Sequence, residues 1–185
     1  MNKTAKTTLL IVIVGLVAVL GYFFVARKTN VFSPTLNLPT NITFQETGGG
    51  CGNIFVHKIN NDDTAGISVS VTKEKLNLSP AEKTFEIGKT DGLNVVILVG
   101  EKIAQWYCTD IFYPNQPEPK KLVGISGKAI ISISDADKSK PEWSGNYTAT
   151  VILKDVQFSD DTGSISDITI GELIFKDIQV GWLPG

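Results

Sequence analysis

Few residues of this sequence could do chemistry, and their spacing narrows what that chemistry is. Cys51 and Cys108 are the only cysteines, with 56 residues between them. That separation excludes a CxxC redox motif and a local zinc knuckle. Outside the cytoplasm an even pair most simply forms one disulfide; two buried thiols are the other reading. His57 is the only histidine. One histidine is too few for a blue-copper centre or a His-rich zinc site. It would suffice for a Ser-His-Asp triad, but no GxSxG elbow accompanies it, and Gly124-Ile125-Ser126-Gly127 is only a fragment of one. His57 therefore reads as a strand residue with a local hydrogen bond.

Six aspartates fall in predicted turns, as Asp62 with Asp63, Asp135 with Asp137, and Asp160 with Asp161. They are the candidate calcium ligands, because calcium gathers oxygen donors from loops. Aspartate is also the ordinary residue of such turns, and no EF-hand spacing occurs. Calcium is the only cofactor for which the sequence offers ligands, and no residue is assigned a catalytic role. Paired carboxylates acting on an envelope glycan are the enzymatic alternative, since that hydrolysis needs neither histidine nor arginine.

Charge limits the partners. The chain of 185 residues carries a formal charge of −2, but all 19 acidic residues lie after residue 30. Four of the 17 basic residues (Lys3, Lys6, Arg27 and Lys28) lie before it, which leaves 13 against 19 and a net −6 for the remainder. Arg27 is the only arginine. An acidic domain without the two-pronged guanidinium fork is a poor receptor for nucleic acid or nucleotides.

The elements that must position these residues begin with an apolar run. Leu9 to Ala26 spans 18 residues without a charge and contains Leu9, Ile11, Ile13, Leu16, Leu20, Phe23 and Ala26. A membrane-spanning helix needs about 17–25 such residues. Residues 1–28 are therefore read as a cytoplasmic tail and signal-anchor helix inserted in the lipid bilayer. Cleavage after Ala26, giving a secreted protein, is the alternative, although Phe24 is large for that position. Residues 29–50, with Pro34, Pro39 and Gly48-Gly49-Gly50, read as a stalk.

Residues 51–185 alternate like strands. The expected strands are 42–45, 54–59, 67–71, 84–87, 93–99, 106–112, 123–134, 147–158 and 168–182, with one helical turn within 72–79. In the last third the apolar phase jumps at Lys154-Asp155 and again at Lys176-Asp177. The similar stretches ILKDVQF and IFKDIQV predict two long strands, each bulged or bent at Lys-Asp and neighbours in one sheet. The cysteine spacing is similar to that of immunoglobulin domains. The pattern departs from them, because no tryptophan closely follows Cys51 and Trp106 stands where a tyrosine belongs. The expected fold is all-β, an antiparallel sandwich (Ig-like or similar) of about 8–9 strands after one transmembrane helix. The expected role is a non-enzymatic, membrane-tethered binding or structural module of the cell envelope, its domain periplasmic or extracellular, meeting an envelope protein or glycan. An accessory subunit of a membrane complex is a further alternative.

Overall fold

The computed structural model describes residues 42–111, 113–141 and 144–182. The apolar run, its seven named anchor residues and the first part of the stalk lie outside the described residues. Among the described residues no helix is long and apolar enough to cross a membrane.

Among the described residues there are eight strands, the longer ones rich in alternating β-branched residues: β1 (Gly49–Cys51), β2 (Phe55–Ile59), β3 (Ala65–Val71), β4 (Lys83–Glu86), β5 (Leu93–Val99), β6 (Lys120–Ile133), β7 (Ser144–Ser159) and β8 (Ile165–Trp182). One helical turn, α1 (Lys73–Leu76), falls inside the predicted stretch and ends at Asn77, whose left-handed backbone (φ 46°) turns the chain back. All pairings are antiparallel, in the order β1-β2-β3-β5-β6-β7-β8, with β4 also on β6.

The antiparallel β class is as expected, but the strands do not divide into two sheets. They form one eight-stranded sheet curled into a half-barrel. The reason lies in β6. Its first residues, Lys120–Val123, pair with β5, whereas Lys128–Ile131 pair with β4 along the same edge. Between these halves the register against β7 slips twice, between Gly124 and Ser126 and between Ser126 and Lys128. Bulges of this kind bend a strand and increase its twist. A bent strand can serve both walls of a core, where a sandwich would use two separate sheets. The GISG fragment is thus the hinge of β6 and not part of a nucleophile elbow.

The last two strands behave as their phase jumps predict. They are neighbours, paired from Ser144–Trp182 to Ser159–Ile165. Asp155 and Asp177 both take left-handed backbone, with φ of 52° and 50°. At Asp177 the register against β7 shifts between Ala149 and Val151. The Thr150 hydroxyl fills the gap by accepting the Asp177 amide at 3.1 Å. At Asp155 the slip is against β6, where Gly127 adopts φ 114° and a Cβ would lie 2.7 Å from the Asp155 carbonyl oxygen. The jumps keep Leu153, Val156, Phe158, Phe175, Ile178 and Val180 all buried on the inside. They pack with Val56, Ile67, Val69, Val95, Ile97, Leu122 and Ile131 in one core.

Two expectations are corrected. Residues 46–50, read as the end of a stalk, lead directly into β1, and 42–45, expected as a strand, makes only one bridge to the sheet. Phe44 bridges to Asn60, and β1 pairs with β2. The glycines are there for contact: at Gly50 a Cβ would lie 2.7 Å from Ile178 and 2.8 Å from the Gln179 carbonyl, because β8 curls back over β1. The Gly181 amide donates to the Gly52 carbonyl at 2.6 Å on the same seam. The second correction concerns 106–112, expected as a strand. The chain instead makes a 3-10 turn at Ile103–Trp106 and leaves it through Cys108 in left-handed backbone (φ 49°). Tyr107 is buried there on the outer face of the sheet, so the segment covers the sheet and does not extend it.

Candidate functional site

Alternation along β2 sends Val56 and Lys58 inward and Phe55 and His57 outward. An outward aromatic pair needs cover, and the chain after β5 supplies it. Cys51 and Cys108 form a disulfide, as the sequence predicts, with their Cα atoms 5.8 Å apart. This bond ties β1, at the sheet edge, to the turn that lies over β2 and β3. Asp63 holds the other end. Its carboxylate accepts the Ala104 amide at 2.7 Å, and its carbonyl accepts the Ile103 amide at 3.1 Å.

Beneath this strap the rings nest. His57 stacks on Tyr107 with centroids 4.7 Å apart, and Phe55 lies 5.9 Å from Tyr107. Gly66 of β3 leaves the space that Tyr107 occupies, since a Cβ there would meet the tyrosine ring at 2.6 Å. The Tyr107 hydroxyl is buried without a hydrogen-bond partner among the described residues. Burial pushes its pKa up. His57 Nδ1 lies 3.9 Å from Cys108 Sγ. Among the described residues no carboxylate is bonded to it, and His57 lies within β2 as the sequence predicts, with the disulfide sulfur as its polar neighbour. On the inner face, Lys58 is buried and donates to the Glu46 carbonyl at 2.6 Å. Desolvation lowers its pKa, and the Glu46 charge opposes that.

Burial lowers the His57 pKa from 6.5 to about 4. The sign follows directly. The unfolded chain takes up this proton at its ordinary pKa, while the folded chain resists it. The histidine's contribution to stability is therefore complete above about pH 6.5 and is lost as pH falls towards 4. Urea midpoints should fall from pH 7 to pH 5, and His57→Phe should flatten that fall. An unchanged slope in the variant would show that His57 is not held neutral.

The calcium candidates are dispersed. Asp160 caps its own turn, accepting from the Thr162 hydroxyl at 2.6 Å and the Ser164 amide at 3.0 Å. Asp137 does the same with the Ser139 hydroxyl and amide. These hydrogen bonds, led by the Thr162 and Ser139 hydroxyls, lower the two carboxyl pKa values. Asp63 is engaged with the strap. Among the described residues no group of three or more His, Cys, Asp or Glu could hold a metal ion. Asp62, Asp63, Asp135, Asp137, Asp160 and Asp161 are thus not assembled into one cation site. Asp137 and Asp160 are spent on their own turns, and Asp63 on the strap.

Beyond the disulfide the strap carries an exposed surface that the strand expectation hid. Trp106, Ile111 and Tyr113 are 39%, 64% and 37% exposed. With Gln105, Asn115 and Gln116 they line a concave pocket of about 160 Å³. A second pocket of about 300 Å³ shares Gln105, Tyr113, Asn115 and Gln116 and is bounded by Glu101, Lys102, Pro114 and Pro117. Together they make a groove along Tyr113. Gln116 pins it, its Nε2 donating to the Glu101 and Lys102 carbonyls at 3.2 and 3.3 Å. In two larger depressions elsewhere some of the lining side chains are engaged with one another or with the backbone. In one, the Tyr147 hydroxyl donates to the Asn53 carbonyl and Lys73 lies over the Tyr147 ring. In the other, Lys75 is paired with Asp91, and Lys89 with Glu86. The signal for the groove was present in the sequence as Trp106-Tyr107-Cys108 followed by Pro114, Pro117 and Pro119. A cysteine bonded to another edge and three prolines are ill suited to a central strand. Comparison of the chain with protein-family models, curated proteins and solved structures finds no match.

Proposed function

We propose that this protein is a membrane-tethered, non-enzymatic binding module of the cell envelope. The apolar run Leu9–Ala26 is its anchor, and the β domain stands on the extracytoplasmic side. The observation that carries the reading is the strap, a disulfide-pinned turn presenting Trp106, Ile111 and Tyr113 to solvent on a stiff sheet. Exposed aromatic groups held by a rigid scaffold are a common form of recognition surface. The disulfide supports an oxidising compartment. The absence of arginine after Arg27 and the net negative charge of that part of the chain favour a partner that is neither nucleotide nor nucleic acid.

The test uses the full chain in its own membrane. Alkaline extraction should leave it in the membrane fraction, and external protease should remove the domain from intact cells. Its cysteines should resist alkylation until reduced. A photo-crosslinking residue at Ile111 should yield an envelope adduct, and one at Ile165 on β8 should not. Alkylation of both cysteines in a cytoplasm-facing domain, or adducts from Ile165 alone, would overturn the proposal.

A further inference from the structure

We infer that the groove along Tyr113 binds a neutral oligosaccharide. This rests on the binding-module reading above and names the ligand class of the same surface. Three features point to it. First, the lining joins aromatic faces to carboxamides. Trp106 and Tyr113 offer flat apolar surface with a polar tip, suited to the C–H face of a pyranose ring. Gln105 and Asn115 each carry a donor and an acceptor on one planar group, which is the pattern that adjacent hydroxyls require. Gln116 spends its donors on the loop carbonyls and retains an acceptor.

Second, the groove is close to neutral although the domain is acidic. Among the described residues, the pocket at Trp106 has no charged residue in its lining. The second pocket has two, Glu101 and Lys102, of opposite sign. A charged ligand would find no net counter-charge to offset its desolvation, whereas the hydroxyls of a polyol can exchange water for the carboxamides. A proline-rich peptide also uses aromatic grooves. Its backbone, however, offers carbonyl acceptors and few donors, and it would leave the carboxamide oxygens unmatched.

Third, the groove is preorganised and longer than one ring site. The disulfide, the buried Ile103 and Tyr107, and the two Asp63 hydrogen bonds fix the strap from below. Less ordering is then lost on binding. Two pockets sharing Tyr113 predict a preference for an oligomer over a single sugar.

The experiment uses the full chain in a detergent without a sugar headgroup, titrated with chitotetraose, mannotetraose and cellotetraose by calorimetry and tryptophan fluorescence. At least one should bind saturably with Kd of about 1 mM or tighter. Its monosaccharide should bind at least about tenfold more weakly. Trp106→Ala and Tyr113→Ala should each weaken binding by about tenfold or more, with the disulfide and the melting temperature retained. Using two variants guards against one that fails to fold. No binding by any tetraose up to about 10 mM, equal binding by both variants, or competition for the groove by a proline decapeptide would overturn the inference. If sugar binding is absent while the Ile111 crosslink persists, the binding module stands and the ligand class falls. If both are absent, the binding module falls as well.

Discussion

Phe158→Ala is expected to destabilise the domain by about 3–5 kcal/mol, the cost of deleting a fully buried ring and leaving a cavity. Phe158 has no exposed surface and stands opposite Gly124, at the hinge of β6. With glycine as its cross-strand partner, no neighbouring side chain on that strand can swing in to fill the void. The loss is a large part of the roughly 5–15 kcal/mol that stabilises an ordinary domain. The melting temperature should fall by about 10 °C or more. Phe158→Leu keeps most of the volume and should cost far less, below about 2 kcal/mol. Ile165→Ala, on a residue 72% exposed, should stay within about 0.5 kcal/mol. Urea denaturation of the three variants checks the ranking. A loss below about 1 kcal/mol for Phe158→Ala would mean that the β6 hinge does not close over β7.

Cutting the Cys51–Cys108 bond should have an effect of similar size by a different route. The bond closes a long loop, with a sequence separation of 57. Its removal frees the unfolded chain and should cost about 4 kcal/mol in the chain-entropy description. The double variant Cys51→Ser with Cys108→Ser should melt about 10 °C lower, and reduction of the wild-type chain should reproduce the shift. A second readout separates structure from entropy. The strap that buries His57 depends on this bond, so its release should raise the histidine pKa from about 4 back towards 6.5. Titration of the lone histidine ring by NMR checks this. A ring that still resists protonation after reduction would show that Tyr107 and Ile103 hold the strap unaided.

The extent to which the fold was legible in the sequence differs from one element to the next. β5 was read to the residue, and the bulges of β7 and β8 were placed at the right Lys-Asp pairs. A phase jump in a half-buried strand has only one physical remedy, an extra residue taken out of the pleat, so local pattern was enough. The failures share a cause as well. Gly48-Gly49-Gly50 has the composition of a linker, yet β8 and the His57 ring leave room for nothing larger than glycine at Gly49 and Gly50. Residues 106–112 have the composition of a strand, yet Cys108 is drawn to Cys51 and Tyr107 to Gly66. Each was misread because a partner distant in sequence decides its conformation.

The same division holds for the site. The disulfide was predictable from counting, because a lone pair of cysteines in an oxidising compartment has one simple fate. The aspartates were placed correctly in turns, but their assembly into a cation site is a question of tertiary distance, and the turns hold them apart. Trp106-Tyr107-Cys108 and the three prolines spoke against a central strand, but the groove itself could not be read from them, since Gln105, Trp106, Tyr113 and Gln116 become one surface only when the strap is folded over β2 and β3.

By itself, then, the sequence determined the β class, the strand faces, the bulges and the cysteine pair, because side-chain alternation and covalent valence are local properties. The tertiary structure alone decided that one sheet bends to make both walls, that β6 is shared between β4 and β5, and that an aromatic groove stands outside the core. Those outcomes depend on pairings between residues far apart in the chain. Their free energy comes from burial and hydrogen bonds that exist only once the sheet has closed.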